Sequence, residues 1–369
     1  MVTNSKKLSR HRGSSRVRPS EELSRSVTPV AKAGAGRTSQ RISSPGRKSK
    51  AEKRKPGEKY LLPGDFESTL KKGYSPRYGG SWRAQDSVPI INGYCISKKV
   101  AGKYRRLTKI LSSMDSVLVA FSGGVDSSLL LRASIEALGD RVLAVIINSP
   151  VFHQDEIKAA RKIVQQLKVK YLIINSDYHL SEEFKKSSYL RCYYCKLAMF
   201  KELKSVAKDR KIVEVVEGSN LDDELDYRPG KRALEELGIR SPLREAGLKK
   251  SDIRLLSKAS GLPSWNRPSN ACLATRIAYN LPVEIDSLKK ISQGEKFLRQ
   301  IGFTQVRLRH HGELVRIEVL LPEINLILKE DNRERIVRRL KRLGWRYVLF
   351  DLEGYRTGSL NPIRIKSQG

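Results

Sequence analysis

The chain has 369 residues, of which 72 are Lys or Arg and 39 are Asp or Glu, a formal net charge of +33. That length accommodates two or three domains and a sizeable core. No run of about 18 apolar residues occurs, which argues against a membrane-spanning helix. Four cysteines are too few for a disulfide scaffold, so a reducing compartment, the cytoplasm, is expected.

Residues 1–97 are expected to be a disordered or irregular basic tail. Residues 1–60 hold 17 Lys/Arg against 4 Asp/Glu. The first 59 residues are rich in Ser, Arg, Lys, Pro and Gly and nearly lack aromatics. Such a segment cannot bury enough surface to offset its ordering entropy. No apolar stretch follows its basic start, so it does not read as a secretory signal. Its Arg/Ser-rich, acid-poor character fits an organelle transit peptide or a start codon assigned too early. A basic surface attracts polyanions, but a solvated tail is the commoner case, and nucleic acid is not the expected partner.

From about residue 101 the pattern changes. A helix is predicted over Lys103–Met114, then a strand over Ser116–Phe121. SGGVDSS follows and opens a helix that Gly139 stops. A strand (Val142–Asn148), a helix (154–167), a strand (Lys170–Asn175), a helix (Lys196–Asp209) and a strand (Ile212–Gly218) come next. Short apolar strands alternating with amphipathic helices mean crossover units and a parallel sheet covered on both faces. Residues 240–282 hold one helix (Lys250–Ser260) among Pro-rich loops. After residue 283 a helix, two strands, a Lys/Arg-rich helix (Arg333–Leu343) and a last strand make a compact α+β unit. The expected architecture is therefore α/β. A nucleotide domain spans 98–282 and a smaller α+β domain spans 283–369.

SGGVDSS (Ser122–Ser128) follows a buried strand. Adjacent glycines let the backbone approach a ligand closely, and the freed N–H groups with the helix N-terminus form an anion site. Ser122, Ser127 and Ser128 add hydroxyls. Asp126 adds a negative charge, which makes sense if Mg²⁺ lies between it and phosphates. The loop fits neither GxxxxGK[ST] nor GxGxxG. It resembles the SGGxDS loop of PP-loop ATP pyrophosphatases, which cleave ATP between the α and β phosphates and pass AMP to a substrate oxygen. Asn148 ends one strand and Gly218 another, where open sheets bind ligands; the resemblance implies that both contact ATP.

Cys192 and Cys195 form a CxxC in RCYYCK, and Cys272 lies 77 positions after Cys195. A lone CxxC suits a redox pair, half a zinc site or a cluster. Two thiols and one distant thiol suit a [4Fe–4S] cluster with one open iron. Zinc needs a fourth ligand, for which His179 and His310 are candidates.

SGGVDSSLLL, RCYYCK, EGSNLDDELDYRPG, SPLREAGLKKSDIR, PSNACLATRI, QVRLRHHGELVRIEV and DLEGYRTGSLN occur in this order. Together they resemble the LarE family, ATP-dependent sulfur transferases of nickel-pincer cofactor assembly, over about residues 100–362. The resemblance implies a small-molecule substrate, pyridinium-3,5-biscarboxylic acid mononucleotide. Its carboxylates are adenylated with ATP and Mg²⁺ and then converted to thiocarboxylates. The sulfur comes from Cys272, the family's donor position, or from a cluster held by Cys192, Cys195 and Cys272. A homo-oligomer is implied as well.

Further candidates have physical rationales. Arg307 and Arg309 alternate on a strand and share one face, which suits the substrate phosphate. Arg228 is placed toward the ATP phosphates. Arg276, four positions past Cys272, is a cation that would favour thiolate. Glu295 and Glu318 are weighed as site-lining carboxylates against ordinary surface positions. Tyr193 and Tyr194, between the two thiols, are weighed as a stacking platform for the pyridinium ring against packing aromatics. Competing functions are a tRNA-thiolating enzyme, an amidating synthetase and a non-catalytic module anchored by the tail.

Overall fold

The computed structural model describes residues 94–186, 189–224, 229–268 and 271–360, with the backbone of two short strands at 60–61 and 90–91. The tail expected over residues 1–59 lies outside the described residues. In chain order the strands are β1 (Tyr60–Leu61), β2 (Ile90–Ile91), β3 (Tyr94–Cys95), β4 (Val117–Ala120), β5 (Val142–Asn148), β6 (Lys170–Asn175), β7 (Glu214–Val216), β8 (Val306–His311), β9 (Leu314–Val319) and β10 (Tyr347–Phe350). The helices are α1 (Lys98–Ser112), α2 (Val125–Leu138), α3 (Gln154–Gln166), α4 (Glu182–Lys185), α5 (Arg191–Asp209), α6 (Pro229–Glu236), α7 (Pro242–Glu245), α8 (Lys250–Ala259), α9 (Ile285–Gln300), α10 (Ile324–Leu328) and α11 (Glu330–Arg342).

The main sheet runs β1-β6-β5-β4-β7. Its four long strands are mutually parallel, and β1 adds an antiparallel edge on β6. The strands are apolar at nearly every position because both faces are covered. Val117, Val119, Ala144, Ile146, Tyr171, Ile173 and Val216 point into one cluster with α1, α2, α3 and α8. The alternate residues Leu118, Leu143, Val145, Leu172, Ile174 and Val215 point into the other, with α5 and the C-terminal elements. This is the period-two alternation of a pleated strand, read here on two apolar faces.

Helix α1 starts five residues earlier than its sequence pattern indicated. The Ser97 hydroxyl accepts the Val100 amide at 3.4 Å and caps it. Gly139 ends α2 with φ +57°, as its sequence position suggested. Helix α7 replaces what the sequence read as loop, and α6 forms in a stretch to which the sequence reading assigned no element. The C-terminal unit is a β10-β9-β8 sheet, antiparallel between β8 and β9 and parallel between β9 and β10. Helix α9 packs on it through Leu288, Ile291 and Leu298. A single parallel bridge, Ile277 to His310, ties this sheet to the segment that carries Cys272. Among the described residues no helix is long and apolar enough to cross a membrane.

Candidate functional site

Strands β4, β5 and β6 succeed one another in one direction across the sheet, while β7 lies on the far side of β4. That reversal opens a crevice beyond the C-terminal ends of β4 and β7. Two loops meet there: Ser122–Ser128 after β4, and residues 217–220 after β7. In the first, Gly123 has φ +74°, a conformation that disfavours side chains. A Cβ there would also lie 2.8 Å from Ala160 Cβ on α3. Gly123→Ala is therefore expected to weaken ATP binding at least tenfold by calorimetry, with a lowered melting midpoint.

Ser122 Oγ lies 3.0 Å from Ser127 Oγ and accepts the Gly124 amide at 3.3 Å, so the loop is braced internally. Ser128 is fully buried, and its hydroxyl has no hydrogen-bond partner among the described residues. Asp126, in the first turn of α2, accepts Asn220 Nδ2 at 3.3 Å and also takes the Lys250 ammonium. Burial pushes its carboxyl above the usual range, and Lys250 only partly offsets this. A half-buried carboxylate held at this loop has the hard oxygen chemistry that Mg²⁺ accepts, and such a site needs only one or two protein carboxylates beside phosphate oxygens. Lys250 itself is anchored by its amide to Asp222 Oδ2 at 2.8 Å. At the end of β5, Asn148 donates to Asn175 at 2.7 Å and accepts from Gln154 at 3.1 Å. Arg228 lies outside the described residues.

The first turns of α5 carry Cys192 and Cys195 on one stripe with Lys196, as helical spacing requires. Tyr193 falls on another face and donates to Glu236 on α6 at 2.6 Å, with the Arg232 guanidinium 5.3 Å from its ring. The reading of Tyr193 as a stacking platform thus meets a ring already engaged by α6. Cys272 begins a tight turn fixed by Leu273 N to Val151 O at 2.8 Å, just past the end of β5. The three thiols lie near enough to one another to interact electrostatically. Burial, then the neighbouring Cys272, pushes the Cys195 thiol up to about 12 and raises Cys192 in the same way. Among the described residues no three His, Cys, Asp or Glu side chains are placed to hold one metal ion. His310 Nδ1 accepts from Trp345 at 2.9 Å and His179 Nδ1 lies 3.4 Å from Ser149 Oγ. A cluster makes a different demand, one thiolate on each of three irons, and three converging thiols fit that donor set.

Arg276 is fully buried and donates to the carbonyls of Ala271 and Cys272, the latter at 2.9 Å. Its guanidinium thus braces the backbone of the cysteine turn. Its partner Glu295 is equally buried. It accepts Arg276 Nε at 3.0 Å, Arg299 at 2.8 Å, His153 Nε2 at 3.1 Å and the Leu308 amide at 3.2 Å. Burial alone would raise the Glu295 carboxyl. Arg276 and His153 outweigh that and hold it far below the ordinary range, so it is ionised and His153 Nε2 donates. Glu318 is buried too and accepts Arg309 twice, at 2.9 and 2.7 Å, with Ser359 at 2.5 Å. Arg309 also donates to Thr275 O at 3.1 Å, which reaches the cysteine turn. Arg307 is buried, 5.2 Å from the Tyr355 ring, and burial and Arg276 lower its pKa to about 10. Both glutamates are thus core residues held by arginines.

Sequence reasoning passed over Lys250, Lys196 and Glu217. All three stand in quoted blocks, LKKSDIR, RCYYCK and EGSNLDDELDYRPG, and helical spacing from Cys192 would have placed Lys196 beside the thiols.

The family described as NAD synthase matches residues 105–190, the region of the loop after β4. The chain is 35% identical over 270 residues to the pyridinium-3,5-bisthiocarboxylic acid mononucleotide synthase of Lactiplantibacillus plantarum, covering 73% of this chain and 97% of that protein. It is 32% identical to an uncharacterised protein of Synechocystis, over 72% of this chain and 98% of that protein. It is 31% identical to an uncharacterised protein of Methanocaldococcus jannaschii, over 65% and 91% respectively. Loop, thiols and similarity over 73% of the chain agree: the chain belongs to the LarE family of PP-loop enzymes, ATP-dependent adenylating sulfur transferases of nickel-pincer cofactor assembly.

Proposed function

We propose that the substrate is pyridinium-3,5-biscarboxylic acid mononucleotide and that both its carboxylates become thiocarboxylates. The observation that carries this reading is the placement of three thiols at the sheet edge that also bears the nucleotide loop. The backbone N–H groups of Ser122–Ser128 and the N-terminus of α2 cradle the phosphates of ATP. Asn148 lies toward the adenosine and Gly218 borders the phosphates. Asp126 is the residue that would hold Mg²⁺, which supplies charge neutralisation to the phosphates when bound.

The substrate carboxylate attacks the α-phosphate and pyrophosphate leaves, giving an acyl adenylate. Arg307 takes the substrate phosphate in a forked contact, and the Arg309–Glu318 pair holds its strand. Arg276 and Glu295 fix the turn that presents Cys272. In the sacrificial route, Cys272 Sγ bonds to the carboxyl carbon and AMP departs with the electron pair of the broken C–O bond. Loss of the Cα proton and cleavage of Cβ–Sγ then release the thiocarboxylate and leave dehydroalanine. In the other route Cys192, Cys195 and Cys272 would hold a [4Fe–4S] cluster, whose open iron would present an additional bound sulfide as the transferable sulfur. We also place the enzyme in the cytoplasm as a homo-oligomer; exposed Leu321, Leu328 and Leu352 in the C-terminal unit support self-association.

Mass spectrometry after turnover with ATP, Mg²⁺ and the dicarboxylate nucleotide tests the reading. Pyrophosphate release that depends on the nucleotide, with a thiolated product, is expected. Loss of one H₂S at Cys272 identifies the sacrificial route, and an intact Cys272 identifies the cluster route. Absence of thiolated product from anaerobically prepared, iron-reconstituted protein would reject the assignment.

A further inference from the structure

The nucleotide loop and the thiols lie on different elements, yet sulfur transfer needs them in register. Among the described residues a charged contact joins them. Lys196, next to Cys195 on α5, places its ammonium 3.6 Å from Glu217 Oε2. Glu217 sits at the end of β7, nearly inaccessible to solvent. Its other oxygen accepts the Ser241 hydroxyl at 2.7 Å and the Ser219 amide at 2.9 Å. The carboxylate therefore shapes the loop 217–220 from within. That loop presses on the nucleotide loop: a Cβ at Gly218 would stand 3.1 Å from Ser127 N. It also carries Asn220, which donates to Asp126.

The lysine is held as tightly on its own side. Its stem runs against Gly230 of α6, where a Cβ would come within 2.9 Å of Lys196 Cγ, and its ammonium lies 5.0 Å from the Phe200 ring centre. Burial pushes the Glu217 carboxyl up, but Lys196, Ser241 and Ser219 together outweigh that and hold it below the usual range. Glu217 is thus ionised at neutral pH. A buried carboxylate that keeps its charge needs a partner with a reason to stay. Lys196 is that partner, and it arrives on the helix that carries two of the three thiols.

Resting on the sulfur-transfer reading above, we infer that Lys196 and Glu217 are positioning residues for the second half-reaction, fixing the thiol-bearing helix against the nucleotide loop. In that step a C–S bond forms at the carboxyl carbon, the C–O bond to the α-phosphate breaks, and AMP leaves with the electron pair. Adenylation needs only the nucleotide loop and the substrate. The sulfur step also needs the thiols at bonding distance, and a misplacement of about 1 Å costs on the order of 10²-fold.

The test separates the two halves. Exchange of labelled pyrophosphate into ATP, dependent on the dicarboxylate nucleotide, reports adenylation. Single-turnover formation of thiolated product, normalised to intact thiols and to iron per chain, reports sulfur transfer. Lys196→Met is expected to keep exchange within about threefold and to slow sulfur transfer by at least tenfold. Lys196→Arg should recover part of that loss. Glu217→Gln should slow sulfur transfer to a similar extent, and in that step the double variant should be no slower than the worse single one. For Lys196→Met, equal losses in both halves or no loss in either, and additive losses of sulfur transfer in the double variant, would overturn the inference. A wild-type protein that shows no nucleotide-dependent exchange would instead remove the functional reading beneath it.

Discussion

Asp126→Ala is expected to abolish most adenylation while leaving the ligand-free protein at least as stable as the wild type. The carboxyl stands in the first turn of α2, aimed at the crevice by Asn220 and Lys250. Removing a group that stabilises developing charge in such a site lowers turnover by roughly 10²–10³-fold, or about 2.7–4 kcal/mol. The stability half follows from the direction of its pKa. Burial is the largest influence and raises it, so the folded protein binds the proton more tightly than the unfolded chain does. Such a group weakens the fold as pH rises through the window between its unfolded value, about 3.9, and its higher folded value. At neutral pH the ionised carboxylate is therefore a liability that only bound cation and phosphate repay. Pyrophosphate release and a thermal midpoint without nucleotide check both halves. Product at the wild-type rate, or a midpoint several degrees lower, would contradict the assignment of Asp126.

The same residue shows why part of the site was legible in the sequence. SGGVDSS is a local device: strand end, turn and helix start lie within seven residues, and their spacing alone implies an anion site. The strands were equally plain, because runs such as VLAVIIN have no polar face to lose. The bounds of β5 and β6 are the expected ones, while β4 and β7 are shorter by a residue or two at each end, since apolarity reports burial and not ladder hydrogen bonds. Helices α6 and α7 were missed because segments of eight and four residues have little intrinsic stability and owe their form to packing. Lys250 and Glu217 lie 124 and 91 positions from Asp126, and nothing local announces that the sheet order brings them together. Glu295 and Glu318 were ambiguous for a related reason. A glutamate in IDSLKKISQGEKFLRQ reads as solvated until the fold sets Arg276 and His153 against it.

That burial makes Glu295→Ala the substitution with the largest expected effect on stability. Five protein contacts converge on this carboxylate, counting both nitrogens of Arg276, of which Nη2 lies at 3.5 Å. Truncation leaves Arg276, itself without solvent exposure, as an uncompensated buried cation, a change worth about 3–5 kcal/mol. For a domain of this size that is a fall of roughly 10 °C in melting midpoint. Glu295→Gln keeps the volume but not the charge and should lose a comparable amount. Adding Arg276→Met should return part of it, because the penalty is the unpaired charge more than the missing contact. The pH profile gives an independent reading. The folded carboxyl is held well below its unfolded value of about 4.3. Its contribution is therefore complete above that value and is lost as the pH falls toward the folded one. Urea titrations between pH 7 and pH 3 should show wild-type stability dropping steeply at the acid end and the Gln variant following a flatter course. Because Arg276 donates to the Cys272 carbonyl, the loss should also appear as slower sulfur transfer at temperatures where the variant is still folded. A loss below about 1 kcal/mol with an unchanged acid profile would mean that the Glu295 network neither anchors the C-terminal unit nor fixes the donor turn.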